Sequence, residues 1–394
     1  MDHEARINNL PDKVLRHILT FLPTKEVIAS SVLSKRWIDL WRSVPAFNFY
    51  DINVDNQETS FRMNELAYSF LLSANSIQSC KLDIWYNDPD VGYLGFSNVI
   101  KWINAVVERG VECIKLCIDI SNDYSLKLPI SILTCRTLVV LDFFGFALKD
   151  FSSISLPSLK TLRMDEIIFL NVQDFLLLLA GCPNLEYLRA CYLGFFSQEL
   201  PTYQVRESLT LHKLIKADLH NTFCHFPLKA LLNAKHLILE INEVCRGYDE
   251  IPTFHNLTNL KLSSIKCNWN LLFQVLKQCP SLQNVELCQE TITEIQHDPG
   301  NWVDPIFVPQ CLSSQLKTCI LWYFSDQKCE YLLATYILKN ARVLKTMTIH
   351  CREDLQIDGG LYLCPKASPM CEVIIKRQPT LSSIIKRTTE LRAA

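Results

Sequence analysis

The densest group of metal-ligating side chains in the sequence is His212, His220, Cys224 and His225, the last three within the run HNTFCH. Structural zinc sites combine short, regular pairs such as C-x2-4-C and H-x3-5-H, and this run, with a single cysteine beside its histidines, has no recognised zinc spacing. Cys364 and Cys371 have six residues between them, and no two cysteines have the CxxC spacing. A nucleophilic cysteine needs a base in reach and an electropositive setting, neither of which the pattern supplies. Glycine-rich phosphate loops, HExxH and GxSxG are absent as well. The expectation is a protein that is not an enzyme, with no catalytic residue, no cofactor and no metal. The 17 cysteines are odd in number. Asp2, Glu4, Arg6, Asp12, Lys13 and Arg16 precede any apolar stretch, the reverse of a secretory signal. Reduced, buried thiols in the cytoplasm and/or nucleus are expected.

With bond chemistry set aside, binding remains, and composition narrows it. The 39 basic and 41 acidic residues give a formal charge of -2, without the basic footprint of a nucleic-acid-binding protein. The longest purely apolar runs, Phe175 to Ala180 and Cys319 to Phe324, are six residues each, against the roughly 20 that span a bilayer. No nucleic-acid or membrane partner is expected. A 49% apolar and 20% charged chain of 394 residues folds by packing, into two or three structural units.

The elements that would position a binding surface begin at once. Pro11 suits the first turn of a helix and Asp12 complements its positive end. Pro23 stops that helix, Thr24 can cap a second through about Val32, and Ser34 a third through Trp41. On the first helix, Phe21, Val14, Ile18, Leu22, Leu15 and Leu19 cover an arc of about 160°, wider than the stripe of roughly 100° that one core needs. Val27, Ile28, Val32, Leu33, Trp37, Leu40 and Trp41 add to the surplus. With no cysteine before Cys80, a helical unit this small and this apolar calls for a partner.

From Leu10 to Trp41 the text LPDKVLRHILTFLPTKEVIASSVLSKRWIDLW resembles the F-box in its plant form. The resemblance implies docking on the Skp-family adaptor of a cullin-RING ubiquitin ligase, with Leu10, Pro11, Leu15, Ile18, Leu22 and Pro23 as adaptor contacts. Trp37 is expected to pack the third helix instead.

A pattern apolar-x-x-apolar-x-apolar then recurs with first positions at Ile77, Val111, Leu138, Leu159, Leu185, Leu214, Ala234, Leu257, Leu282, Leu316 and Leu344, at spacings of 20 to 34 residues. Most lie in or near the 20–29 of a leucine-rich repeat. Amphipathic segments at Ser97 to Arg109, Val172 to Ala180 and Trp269 to Lys277 precede several of the strands. One such unit cannot bury its own strand, so neighbours must stack. The asparagine or cysteine common after the last leucine is matched by Asn242, whereas Phe146, Ile167, Thr222 and Ile265 depart from it. Strand alternation turns the fourth and sixth pattern positions inward and the third, fifth and seventh outward. Among the outward residues, Arg163, Tyr187, Arg189 and Trp322 are of the types that dominate protein interfaces and are the candidate substrate contacts.

The segment from Trp302 to Lys376 resembles the plant FBD domain, through Pro305, Val308-Pro309, Cys311-Leu312, Leu316-Lys317, Ile337 to Ala341, Val343 to Lys345 and a closing strand at Cys371 to Ile375. Its bland reading is a cap on the repeat array. The expected fold is α/β: a three-helix F-box (4–50), an irregular leucine-rich-repeat solenoid (62–300), an FBD unit (301–376) and a basic tail (377–394). In the solenoid, a curved parallel sheet carries helices on its convex side.

The function this implies is a substrate-recognition subunit of an SCF-type ubiquitin ligase, joined to cullin and RING proteins through the adaptor and holding an unknown target protein on the repeat and FBD surface. The alternative is an F-box scaffold that sequesters a partner without delivering it for ubiquitination.

Overall fold

The computed structural model describes residues 7–120, 126–149, 151, 153–197, 209–222, 226–240, 251–265, 269–289, 302, 305, 307–353, 355 and 360–378. The chain divides into two compact units, Met1–Lys213 and Leu214–Ala394.

The first unit opens with helices α1 (Asp12–Leu19), α2 (Thr24–Ala29) and α3 (Lys35–Arg42), with a 3-10 turn at Ser30–Val32. Pro11 and Pro23 flank the starts of α1 and α2 in extended conformation, so the prolines punctuate the chain as their lost N–H dictates. Thr24, expected to cap α2, does something else. It is fully buried and its hydroxyl accepts the Asn48 N–H at 2.8 Å, fastening the helices to the first strand.

That strand, β1 (Ala46–Val54), runs past residue 50, the expected end of the helical module, and pairs with β2 (Ser79–Tyr86). Parallel pairing continues in order through β3 (Cys113–Ile120), β4 (Val140–Phe144), β6 (Thr161–Asp165) and β8 (Tyr187–Cys191). The two-residue strands β5 (Ala147–Leu148), β7 (Ile168–Phe169) and β9 (Gly194–Phe195) form a second, small parallel sheet that the repeat pattern does not announce. Parallel neighbours require a crossover, and helices supply it: α4 (Gln57–Ser73), α5 (Pro89–Glu108) and α6 (Val172–Ala180). Helix α5 starts eight residues before the expected Ser97, because Asp88 caps it and Pro89 occupies its first turn. Its Gly92 and Gly95 permit this. A Cβ at either would stand 2.6 Å from Ile120 or the Tyr86 ring. Trp41, Phe47, Phe49, Phe70 and Trp102 form a continuous aromatic cluster that seats α3 on β1, α4 and α5.

In the second unit β10 (Lys216–His220), β11 (His236–Glu240), β12 (Asn259–Ser263), β13 (Asn284–Cys288), β14 (Thr318–Phe324), β15 (Thr346–Arg352) and β16 (Glu372–Gln378) pair in chain order, all parallel. Helix α7 (Trp269–Lys277) matches its expected bounds, and α8 (Gln310–Ser314), α9 (Lys328–Asn340) and α10 (Gly360–Leu363) complete the described helices.

The repeat register is kept throughout. All eleven first positions, Ile77 to Leu344, are at most 1% exposed, and a strand begins two residues after each. The eighth position is left-handed in six repeats: Gly145, Glu166, Tyr192, Asn221, Ser264 and Tyr323 have φ between 51° and 76°. For a residue other than glycine or asparagine this costs on the order of 1 kcal/mol. The turn aims the next side chain inward, and Phe146, Ile167, Leu193, Thr222 and Ile265 are at most 1% exposed. Burying such an apolar side chain contributes about 1.5–3 kcal/mol, enough to offset the strained turn. Phe146, Ile167, Thr222 and Ile265 are the residues that depart from the asparagine pattern. Asn242 lies outside the described residues.

Candidate functional site

The candidate site starts from a helix that has more apolar surface than its own core uses. In α1, Leu15 and Leu19 are buried, while Val14 (42%), Ile18 (37%) and, just beyond the helix, Phe21 (71%) remain exposed, with Leu10 (36%) ahead of it. The spacing of 14, 18 and 21 sets them on one helical face. Val32 (85%) and Leu33 (57%) after α2 are more exposed still. Pro11 is exposed and Leu22 and Pro23 are half-buried. Leu15, also in the expected adaptor-facing set, is wholly interior: with its i+4 partner Leu19 it forms the stripe that packs on the module's core. Trp37 is buried in α3 as expected.

The entrance to α1 is held by charge as well as packing. Arg36 donates through Nε to Asp12 Oδ1 at 2.7 Å and through Nη2 to the Leu10 carbonyl at 2.7 Å, and its Nη2 also pairs with Asp12. The Leu10-Pro11 step is thereby fixed against α3 while its side chains stay exposed.

The strands present the other surface. In β6 Leu162 and Met164 are buried and Thr161, Arg163 and Asp165 point outward, the alternation expected. Arg163 reaches Asp142 on β4 at 3.3 Å and lies 5.2 Å from the Tyr187 ring centre; Arg189 reaches Asp165 at 3.3 Å. The structure therefore brings Arg163, Tyr187 and Arg189 together as one row of charge and ring across β4, β6 and β8. The pairing acids Asp142 and Asp165 complete the row, and the strand register puts each beside its arginine: Asp142 opposite Arg163, and Asp165 one pleat from Arg189.

Trp322 stands in the second unit with its own neighbours. Its ring stacks on His350 at 3.8 Å and its Nε1–H donates to Glu286 at 3.0 Å, with Lys261 5.9 Å from the ring centre. His350 was not singled out by the sequence. Only pairing of β14 with β15 puts it beside the tryptophan. A polar ladder runs along the same sheet: Thr318 donates to Asn284, Asn284 to Asn259, and Asn259 to His236 Nδ1.

Among the described residues no group of three His, Cys, Asp or Glu can hold a metal ion. His220 is engaged with Glu240 at 3.3 Å, and Cys224 and His225 lie outside the described residues. The described cysteines are free thiols. Burial pushes Cys182, Cys311 and Cys319 up to about 12, and Cys80 and Cys279 higher, so these sulfurs stay protonated and unreactive. No described helix is long and apolar enough to cross a membrane.

Family models match residues 7–48 as an F-box domain, 99–221 as the LRR repeats of the FBD-associated F-box protein At5g56370, and 304–349 as FBD. The FBD-associated F-box protein At5g56370 of Arabidopsis thaliana is 30% identical, covering 93% of this chain and 99% of its own. The F-box/FBD/LRR-repeat proteins At4g26340 and At3g26920 of the same plant are 30% and 29% identical, covering 86% and 95% of this chain and 91% and 97% of theirs. With helices, repeats and C-terminal segment all matched in the same order, the chain belongs to the F-box/FBD/LRR-repeat proteins.

Proposed function

We propose that this chain is a substrate-recognition subunit of a cullin-RING ubiquitin ligase of the SCF type. The helical module docks on a Skp-family adaptor, and the outward strand rows hold a target protein. The single observation that carries the reading is the exposure of large apolar residues, Leu10, Val14 and Ile18 at α1 and Val32 and Leu33 after α2, on a module whose core is already closed by Leu15, Leu19, Val27, Trp37 and Leu40. A contiguous apolar face on an otherwise packed protein is the mark of a partner site. Pro11, Leu22 and Pro23 border that face, and Arg163, Tyr187, Arg189 and Trp322 anchor the target.

The chain then performs no bond chemistry. It turns the meeting of a target lysine with a ubiquitin-charged enzyme into a tethered event at high effective concentration. Copurification of the adaptor with the double variant Leu10→Ala, Pro11→Ala tests the reading, with a loss of roughly tenfold, about 1.4 kcal/mol, expected. Undiminished adaptor binding would reject the assignment of the face. Ubiquitin transfer to a captured protein in the reconstituted complex separates a delivering subunit from a sequestering scaffold.

A further inference from the structure

Beside the end of α1, the outward face of β1 to β4 forms an open hollow of about 400 Å³ within the first unit. Its rim is aromatic: Phe21 and Tyr50 are 71% and 60% exposed, and Phe144 faces them from β4. On its floor Lys81 and Lys115 are register partners on the adjacent strands β2 and β3, two like charges side by side. Cross-strand like charges repel unless something anionic answers them.

Asp142 is the register partner of Lys115 on β4, yet among the described residues neither it nor Asp83 forms an ion pair with either lysine. Asp142 is the partner of Arg163, and Asp83 accepts the Trp85 indole N–H at 2.8 Å. The Cys117 thiol is pushed up to about 12 by burial and by Asp83, so it adds no negative charge. Among the described residues Lys81 and Lys115 make no ion pair, whereas the neighbouring arginines in the same face are each matched to an aspartate. On the wall, Asn48 is 8% exposed. Its amide N–H2 donates to the Leu22 carbonyl at 3.4 Å, and its Oδ1 has no donor among the described residues.

We propose that this hollow is a docking site for an acidic segment of the target protein. A carboxylate side chain bridges Lys81 and Lys115 while an adjacent apolar or aromatic residue lies between Phe21, Tyr50 and Phe144. The inference rests on the substrate-recognition reading and narrows it, giving the target class as a short motif of Asp or Glu next to a large apolar residue. It also locates recognition next to the adaptor-docking helix, where a bound lysine-bearing segment is held close to the ligase.

The test is selection of random displayed peptides on the full chain bound to its adaptor. Enriched peptides are expected to carry Asp or Glu beside Phe, Tyr, Trp or Leu. Their affinity is expected to fall at least tenfold in the Lys81→Glu, Lys115→Glu variant, to fall when the peptide acid becomes the amide, and to weaken with added salt. Adaptor capture by the same variant stays at the level of the unaltered chain, which verifies its folding. If the double variant does not fold, Lys81→Gln and Lys115→Gln singly, together with the salt dependence and the peptide amides on the unaltered chain, decide. Enriched sequences without acids, the absence of enrichment, or binding indifferent to these changes overturns the proposal. Loss of adaptor capture by the unaltered chain overturns the underlying function instead.

Discussion

Helix α1 and strand β6 treat their apolar residues in opposite ways. In β6 every apolar side chain is buried, Leu162 and Met164 at 0%, and the outward positions are polar. In α1 Leu15 and Leu19 are buried, yet Val14 and Ile18 one turn around the cylinder are 42% and 37% exposed. A strand has two faces and the repeat fills one of them completely. A helix has a full circumference, and an apolar arc of about 160° overlaps both the core and the water. Strand β6 thus keeps its apolar side chains for the core, whereas the helical module has apolar surface to give to a partner.

The contrast is broken most forcefully between neighbours in one helix. Leu19→Ala is expected to cost about 2–5 kcal/mol, read as a lowered urea midpoint. Ile18→Ala, one residue away, leaves the midpoint within about 0.5 kcal/mol and weakens adaptor capture instead. Equal destabilisation by the two would erase the distinction between inner and outer arc.

The seam between the two regions is next in size. Thr24→Val keeps the shape of the side chain but leaves the buried Asn48 N–H without its acceptor, a loss of about 1–3 kcal/mol measured by denaturant unfolding. An unchanged midpoint would mean that the hydroxyl does not tie α2 to β1.

On the outward rows effects shrink. A double-mutant cycle on Arg163→Ala and Asp142→Ala is expected to give a coupling of only about 0.2–1 kcal/mol, because the pair is 38% and 29% exposed. A coupling of several kcal/mol would mean that the row is structural and not free for recognition.

The smallest effect is a pH slope in the second unit. Burial and the nearby Lys216 and Lys235 hold His236 below the ordinary histidine range, and burial and Lys376 do the same for His350, opposed by Glu286. A histidine depressed in the folded state binds fewer protons there than when unfolded. Its contribution to stability is present above the unfolded value near 6.5 and is lost as pH falls through the folded one. The urea midpoint should therefore decline on acidification from neutrality, and the slope should flatten in His236→Asn, His350→Gln. A midpoint that rises on acidification would contradict the sign.

Much of this was legible in the sequence because it depends on local rules. Pro11 and Pro23 delimit helices whatever surrounds them, and the recurrent apolar triplet located eleven strands to within two residues, since period-two alternation and a buried first position require no knowledge of neighbours. The departures occur where distant contacts prevail. Thr24 has a choice between capping its own helix and accepting from Asn48, and only the approach of β1 decides it. Helix α5 begins before the expected Ser97, where Gly92 and Gly95 let it lie close on Ile120 and Tyr86. Leu15 and Ile18 both carry the marks of an adaptor contact, but only the packing of the helices turned one of them inward.

The sequence by itself determined the order of elements, the register of the repeats and the presence of more apolar surface than three short helices can hide, because propensity, alternation and hydrophobic count are properties of a chain. The tertiary structure alone decided which of those apolar residues face outward. It also decided which charges meet: Arg163 finds Asp142 across 21 residues of chain, and Lys81 finds Lys115 beside it on the next strand. Pairing across strands is a matter of register in space, and two residues far apart in sequence have no means of recording in their own identity which neighbour the fold will set beside them.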